Sequence, residues 1–134
     1  MTRSSAVGAP DYSETLPCEP ESARRARLLV HAAVSAWGIG DLADVGALIV
    51  SELVANTVHH TQCRLCRVVV GHPSAGLVRI SVADKSRDVP VKERPGAHVE
   101  DGRGLVLIDA LSWRWGYDLH RWGKIVWAEL VAPC

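Results

Sequence analysis

The sequence lacks several features that would assign it to a broad class of protein. Phenylalanine is absent and aromatic residues make up 5% of the 134 residues, so leucine, valine, alanine and five tryptophans must fill the core. The fifteen basic residues balance the fifteen acidic ones, which leaves no basic footprint for nucleic acid or for a membrane surface. The longest apolar runs are too short to span a bilayer. These absences predict a protein that binds neither nucleic acid directly nor a membrane.

The N-terminal stretch, MTRSSAVGAPDYSE, lacks the apolar core of a signal peptide. We therefore expect a disordered tail at residues 1–11, a single domain at residues 12–134 and a cytoplasmic location. The four cysteines are expected to stay reduced in that compartment.

Hydrophobic periodicity predicts a strand followed by two helices in the first half of the chain. The strand covers residues 12–18, and the first helix begins near Ser22, an expected N-cap. This helix is expected to end at Gly38 and Gly40. A second helix, capped by Asp41, is expected to run to about Thr61.

The period then changes from helical to β. The stretches CRLCRVVVGH and LVRISVAD flank PSAG, and WRWGYDL is joined to KIVWAEL by HRWG, so each pair predicts a β-hairpin. Between the hairpins, residues 85–101 predict a loop, and GRGLVLIDAL predicts a third helix that begins at Gly102. Consecutive hairpins favour an α+β fold, a two-layer α/β sandwich. Its mostly antiparallel mixed sheet would be covered on one face by three helices.

One apolar segment, SELVANTVHH, carries polar residues that a buried helix does not need. At about 100° per residue, Glu52, Asn56 and His59 share one facet, which Val45 and Ile49 continue toward the N-terminus. A buried carboxylate is costly unless it is paired or solvated. We therefore expect this facet to meet a ligand, a partner or a water-filled cavity, with an exposed helix edge as the alternative.

Three segments contain residue types that suit a nucleotide site. The amide oxygen of Asn56 is a hard neutral ligand that suits Mg²⁺ beside phosphate oxygens, and Glu52 could accept a proton from an attacking hydroxyl or water. Asp84 ends the strand VRISVAD and could accept a hydrogen bond from an exocyclic amine such as that of adenine. Alone, an aspartate at a strand end is more often a turn or capping residue.

The third segment, DGRGL, places two glycines at the expected start of a helix. Gly102 and Gly104 would let the backbone approach a phosphate, and the helix N-terminus offers free N–H groups and a favourable dipole. Arg103 could add a charge-assisted contact. A glycine pair by itself is equally consistent with a simple turn.

Other conspicuous residues favour structural interpretations. Cys63 and Cys66 in HHTQCRLC supply two ligands where a closed zinc site needs four, so we expect buried or half-buried thiols. The alternating residues after the third helix are expected to share one sheet face as core or as helix-covering surface, and these are Trp113, Trp115 and Tyr117. Trp122, at a predicted turn, is expected to be exposed and could mark a protein contact.

Taken together, the order and separation of these segments resemble the GHKL ATPase family over about residues 12–131. The stretches VSELVANTVHHT, GRGLVLIDALSWRWG and GKIVWAEL are similar to its stand-alone branch, the anti-sigma-factor serine kinases of actinobacterial type. The resemblance implies that ATP or ADP binds with Mg²⁺ between two helices and the sheet, under a mobile lid at residues 85–101.

The resemblance also implies roles for individual residues. Glu52 matches the general base and Asn56 the Mg²⁺ ligand. His60 matches the histidine that often ends that helix, and Asp84 matches the aspartate that reads adenine. The glycine motif beside the phosphates is matched by Gly102, Gly104 and Leu105.

The function implied is that of a serine/threonine kinase that phosphorylates an anti-anti-sigma partner of the STAS type and sequesters a sigma factor, as a monomer or a homodimer. Ser86 stands where the family usually has glycine, and Ile125 follows Lys124 where a threonine is common. These differences favour an alternative, a catalytically weak or inactive nucleotide-binding module that docks a partner. A detached histidine-kinase catalytic domain is a further alternative, although no phosphorylatable helical hairpin is recognised in the sequence.

Overall fold

The computed structural model describes residues 11–88 and 99–133, with only the backbone described at 99–104. The elements follow in the predicted order. The strands are β1 (Tyr12–Pro17), β2 (Leu65–Ser74), β3 (Leu77–Asp84), β4 (Arg114–His120) and β5 (Gly123–Val131). The helices are α1 (Ser22–Ala36), α2 (Ala43–His60) and α3 (Val99–Leu111), and a 3₁₀ turn at Gly40–Leu42 precedes α2. Of the expected tail, only Asp11 is among the described residues, and most of the expected lid lies outside them.

The strands form one sheet in the order β1-β2-β3-β5-β4, in which each neighbouring pair is antiparallel. Alternate residues of the central strand β3 point toward the helices, where Val78, Ile80 and Val82 are fully buried. The helices pack on this one face of the sheet, with α2 between α1 and α3. The predicted two-layer α+β sandwich is therefore confirmed.

The apolar character of α2 follows from its position in the core. Its buried residues include Ile49, Val50, Leu53 and Val54, all of which are 0–1% exposed. By length and composition, Gly40–His60 would also pass as a membrane-spanning helix, with a mean hydropathy of 1.2. Because α2 packs against α1, α3 and β3, its position in the protein core accounts for this hydropathy.

The helix boundaries differ from the prediction at two N-termini. Ser22 is the first residue of α1 rather than its N-cap, and its hydroxyl donates to the carbonyl oxygen of Pro17 at 2.6 Å. That bond ties the helix to β1, so the hydroxyl is not used to cap the helix. Asp41 lies in the 3₁₀ turn, and α2 begins at Ala43 without a side-chain cap. The predicted caps at Ser22 and Asp41 are therefore wrong.

The predicted end of α1 at Gly38 is confirmed. Gly38 has φ of 73°, a left-handed conformation that costs glycine little. Its N–H donates to the carbonyl oxygen of Ser35 at 3.1 Å, and the N–H of Ile39 donates to that of Val34 at 2.9 Å. This pair of bonds is a Schellman motif, which satisfies carbonyl groups at the helix end.

Two of the three aromatic residues after α3 lie on the predicted sheet face, and one does not. Trp115 and Tyr117 are paired with Ala128 and Val126 of β5, on the helix-facing side, and Trp115 packs against the core. Trp113 precedes β4 and is 60% exposed, so its predicted place on that shared face is wrong. Trp122 is 49% exposed at the turn, as predicted.

Candidate functional site

The α2 facet, which we define as Glu52 and Asn56, lies on one side of the central helix. The two residues are one helical turn apart and both are half-buried, whereas Ile49, one turn before Glu52, is fully buried. Glu52 makes no hydrogen bond or ion pair within residues 11–88 and 99–133. Within these ranges the carboxylate is not explained as a structural ion pair, which leaves it available to a ligand or to solvent.

Asn56 has an unsatisfied polar atom. Its Nδ2 is buried and has no hydrogen-bond partner among the described residues. An amide left in this way costs about 1–3 kcal/mol, so buried polar groups are nearly always paired with protein, water or a ligand. Rotation of the side-chain amide exchanges its nitrogen and oxygen, so the same position can present the oxygen to a metal ion. The unsatisfied amide therefore fits the metal-ligand role that the sequence predicted.

Asp84 lies beside the C-terminal turns of α2, at the end of β3. Its side chain is 0% exposed, and the hydroxyl of Thr57, the residue after Asn56, lies 3.4 Å from its Oδ2. The fold thus brings the predicted adenine-reading carboxylate next to the α2 facet, across 27 residues of sequence.

Asp84 is not an open acceptor, however, because Lys124 forms an ion pair with it. Lys124 Nζ is 3.0 Å from Oδ1 and 3.1 Å from Oδ2, and the lysine side chain is only 5% exposed. This pairing was not predicted from the sequence. Asp84 and Lys124 face each other directly in the β3–β5 register, and we refer to them below as the Asp84 pair.

A signal for the pairing was present in the sequence. Lys124 continues, at a spacing of two, the inward-facing residues Val126, Ala128 and Leu130 of β5, which gives it the same orientation as Asp84 on β3. Gly123 then allows β5 to begin against the end of β3, because a Cβ at this position would collide with the Asp84 carbonyl oxygen. The register that aligns the two strands could not be predicted from the sequence alone.

Ser86, at the position where glycine was expected, stabilises the turn after β3. Its N–H donates to Asp84 Oδ1 at 2.8 Å, which forms an Asx turn. Its hydroxyl accepts a bond from the N–H of Asp88 at 3.1 Å. Every described non-glycine residue has negative φ, so serine is accommodated here without backbone strain.

The glycine motif lies further inside its helix than predicted. The third helix begins at Val99, three residues before Gly102, so the expectation that Gly102 starts the helix is wrong. The free N–H groups of a helix are those of its first four residues, which include Gly102 but not Gly104. Leu105 is 2% exposed and belongs to the hydrophobic core. The side chain of Arg103 lies outside what the structure describes.

His60 is the last residue of α2 and is exposed. The helix ends there because Thr61 is extended, with φ of −132° and ψ of 166°. Thr61 also donates from its hydroxyl to the carbonyl oxygen of Thr57 at 2.8 Å. His60 therefore lies at the C-terminal end of α2, about one helical turn beyond Asn56.

The thiol of Cys63 contacts Asp84, and two further thiols, those of Cys18 and Cys66, lie close to each other. Cys63 lies in the loop before β2, not on the strand, and its Sγ is 3.8 Å from Asp84 Oδ1. Burial raises the pKa of Cys66 to about 12, and the neighbouring Cys18 and Asp84 also raise it. Burial likewise raises the pKa of Cys18. The thiols of Cys18 and Cys66 are therefore protonated near neutral pH. No group of three or more potential ligands suited to a metal ion occurs within residues 11–88 and 99–133.

Comparisons with known proteins identify the family of the chain and a solved structure that shares its fold. A family model described as a histidine kinase-like ATPase domain matches residues 16–130. Among solved structures, the RsbU and RsbW domains of Rv1364c from Mycobacterium tuberculosis align with a TM-score of 0.67 and 21% identity. That alignment covers 92% of this chain and 33% of the other, so this chain spans about a third of that structure and shares its fold. No curated protein matches the chain.

Proposed function

Because the chain belongs to the histidine kinase-like ATPase domain family, we propose that it binds ATP and ADP with Mg²⁺ and acts as a serine/threonine kinase of the anti-sigma-factor type. The observation that carries this proposal is the α2 facet. Among the residues that the structure describes, it combines a carboxylate without a partner and a buried amide nitrogen without a hydrogen bond. Neither feature benefits the folded chain alone, and both are explained by a bound metal and phosphate group.

Asn56 is the residue that would hold Mg²⁺, through the oxygen of its side-chain amide. Backbone N–H groups near Gly102 in the first turn of α3 would bind phosphate oxygens, since helix N-termini favour anions. Arg103 would add a charge-assisted contact, and Gly104 would keep the backbone accessible. Leu105, buried in the core, would fix this turn against the sheet, and His60 would border the site at the end of α2.

Glu52 would act as the general base. When bound, Mg·ATP supplies a transferable γ-phosphoryl group whose charge the metal partly neutralises. The Glu52 carboxylate would take the proton from the partner's hydroxyl as that oxygen bonds to phosphorus and the bond to the ADP oxygen breaks. Glu52 would be able to accept this proton because no described cation holds its carboxylate.

The proposed partners follow from the resemblance of the sequence to anti-sigma-factor kinases. The hydroxyl would belong to a serine or threonine of a STAS-type anti-anti-sigma protein, and the unphosphorylated partner would compete with a sigma factor for this chain in the cytoplasm. A fold shared with an RsbW domain is compatible with this role. Asp84 would read the base through its exocyclic amine.

The Asp84 pair favours a second candidate function. A carboxylate already bonded to Lys124 is poorly prepared to accept a base amine, so nucleotide affinity would be low. The chain would then be a catalytically weak or inactive module that docks a partner, and Ser86 and Ile125 agree with this alternative.

Phosphoryl transfer distinguishes the two candidates. The chain would be incubated with γ-labelled ATP, Mg²⁺ and a STAS-type protein that carries a serine or threonine acceptor. We expect transfer by the wild type and a loss of about 10²–10⁴-fold in rate for Glu52→Gln, which is typical of general-base removal. Glu21→Gln, at an exposed position just before α1, is the matched control and should transfer normally.

The remaining outcomes are also informative. Transfer at the wild-type rate by Glu52→Gln would contradict the general-base role. A wild type that binds Mg·ATP but transfers nothing to STAS-type proteins would support the docking module instead.

A further inference from the structure

We propose that Lys124 is a specificity-determining residue that competes with the nucleotide base for Asp84 and so weakens recognition of the base. This inference rests on the proposed function, because it takes Asp84 as the residue that meets the base. It assigns to Lys124 a role that neither the motif pattern nor the family match supplies.

The first support is the burial of both charges. The Asp84 side chain is 0% exposed and that of Lys124 is 5% exposed, with Nζ within 3.1 Å of both carboxylate oxygens. Lys124 Nζ also lies 3.4 Å from the carbonyl oxygen of Ser86. All three ammonium protons therefore have acceptors within the chain, and the lysine is held at the carboxylate without help from solvent.

The second support is that the carboxylate has no acceptor capacity left. A carboxylate offers about four lone-pair sites. Oδ1 receives Lys124, the N–H of Ser86 and the thiol of Cys63, whereas Oδ2 receives Lys124 and the hydroxyl of Thr57. A base amine can bind only if one of these donors is released.

The contacts rank these donors by the cost of releasing them. Ser86 is fixed by the Asx turn, so Oδ1 stays occupied. The Thr57 hydroxyl is also 3.3 Å from the carbonyl oxygen of Leu53 and can turn its single proton to that oxygen, which frees one position on Oδ2 at little cost. Lys124 keeps the other position on Oδ2, and it is the only cation among these donors. Charge-assisted bonds are roughly twice as strong as neutral ones, so a neutral amine competes poorly with Lys124 for the carboxylate.

We therefore expect the base to contribute little to the binding affinity for ATP, compared with the phosphates. Wild-type protein should bind Mg·ATP little better than Mg·tripolyphosphate, which carries no base. A less competitive neighbour for Asp84 should strengthen the binding of ATP and leave that of tripolyphosphate unchanged. It should also increase the preference for ATP over GTP, whose base presents a carbonyl where adenine presents its amine.

Calorimetry on two Lys124 variants tests this. Lys124→Gln keeps a neutral donor and removes the positive charge, and we expect about tenfold tighter ATP binding, a difference of about 1.4 kcal/mol. Lys124→Arg keeps the charge in a planar fork that suits a carboxylate, and we expect ATP binding weaker than in the wild type. Tripolyphosphate binding should be the same in all three proteins. Lys85→Gln removes an exposed lysine next to Asp84 and controls for the change in net charge.

The outcomes separate this inference from the proposed function. If Lys124→Gln binds ATP no more tightly than the wild type while tripolyphosphate still binds, the inference is overturned and the phosphate site stands. If Lys124→Gln does not fold, ATP binding by Lys124→Arg at or above the wild-type affinity would overturn it equally. If no protein binds ATP or tripolyphosphate, the proposed function fails and the inference fails with it.

Discussion

The α2 facet and the Asp84 pair are adjacent, yet they differ in whether their polar groups have hydrogen-bond partners within the described residues. On the facet, Glu52 has no partner within the described chain and the amide nitrogen of Asn56 is buried without a hydrogen bond. At the pair, Asp84 is fully buried and every acceptor position is filled. Unsatisfied groups point to a ligand, whereas a saturated ion pair points to a role in the fold. The comparison therefore predicts that substitutions at the pair have large effects on stability, whereas substitutions at the facet have small ones.

The largest expected effect on stability is at the pair. Asp84→Asn leaves the ammonium of Lys124 buried without a counter-charge and should reduce the free energy of unfolding by about 3–5 kcal/mol. The double variant Asp84→Asn with Lys124→Met should recover most of that loss, because no unpaired charge remains. Urea unfolding at neutral pH measures both.

A matched control is the exposed ion pair between Arg79 and Asp118, whose side chains are 36% and 55% exposed. Asp118→Asn should cost less than about 1 kcal/mol. If Asp84→Asn were no more harmful than this control, the distinction between pair and facet would be lost.

A smaller effect is expected from the thiols beside the pair. Burial raises the pKa of Cys66 to about 12 from an ordinary value of 9.0, so the folded state holds this proton more tightly than the unfolded state. The resulting stability is fully present below about pH 9 and is lost as the pH rises toward 12. Wild-type stability should therefore fall between about pH 9 and pH 12.

The variant Cys66→Ala isolates this contribution. It lowers stability at all pH values through the cavity it leaves, but the part of the fall above pH 9 that comes from the thiol should disappear. Equal pH slopes in the two proteins, measured by urea unfolding, would show that Cys66 does not contribute to the pH dependence.

The smallest effect on stability is expected at the facet. Glu52→Gln removes no internal contact that the described residues make, so the free energy of unfolding should change by less than about 0.5 kcal/mol. Thermal and urea unfolding of the variant measure it. A loss of several kcal/mol would reveal an internal cation as the partner of Glu52 and would assign the residue to the fold.

Much of the fold was predictable from hydrophobic periodicity, because the change from a helical period to strand alternation depends only on residues that are close in sequence. The hairpins, the apolar α2 and the glycine end of α1 followed from such local signals. The predicted cap at Ser22 was wrong because its hydroxyl donates to the carbonyl oxygen of Pro17 instead of capping its own helix. The start of α3 was wrong because a glycine pair is compatible with either a first or a second turn.

The candidate site was predictable where it depends on one helix and not where it depends on strand register. Glu52 and Asn56 share a facet by spacing alone, and the structure leaves both residues half-buried. Asp84 and Lys124 are 40 residues apart, and their contact requires the exact alignment of β3 with β5. The alternation of both strands gave the orientation of each side chain but not its partner.

The most direct test of the account is the Mg²⁺ dependence of nucleotide binding at Asn56. Calorimetric titration of ATP into the wild type and into Asn56→Ala would be run with Mg²⁺ and with EDTA. We expect the variant to bind at least about tenfold more weakly than the wild type in Mg²⁺ and equally in EDTA, since only the metal contact is removed. Identical affinities of the two proteins in Mg²⁺ would contradict the claim that the α2 facet holds the metal and the phosphates.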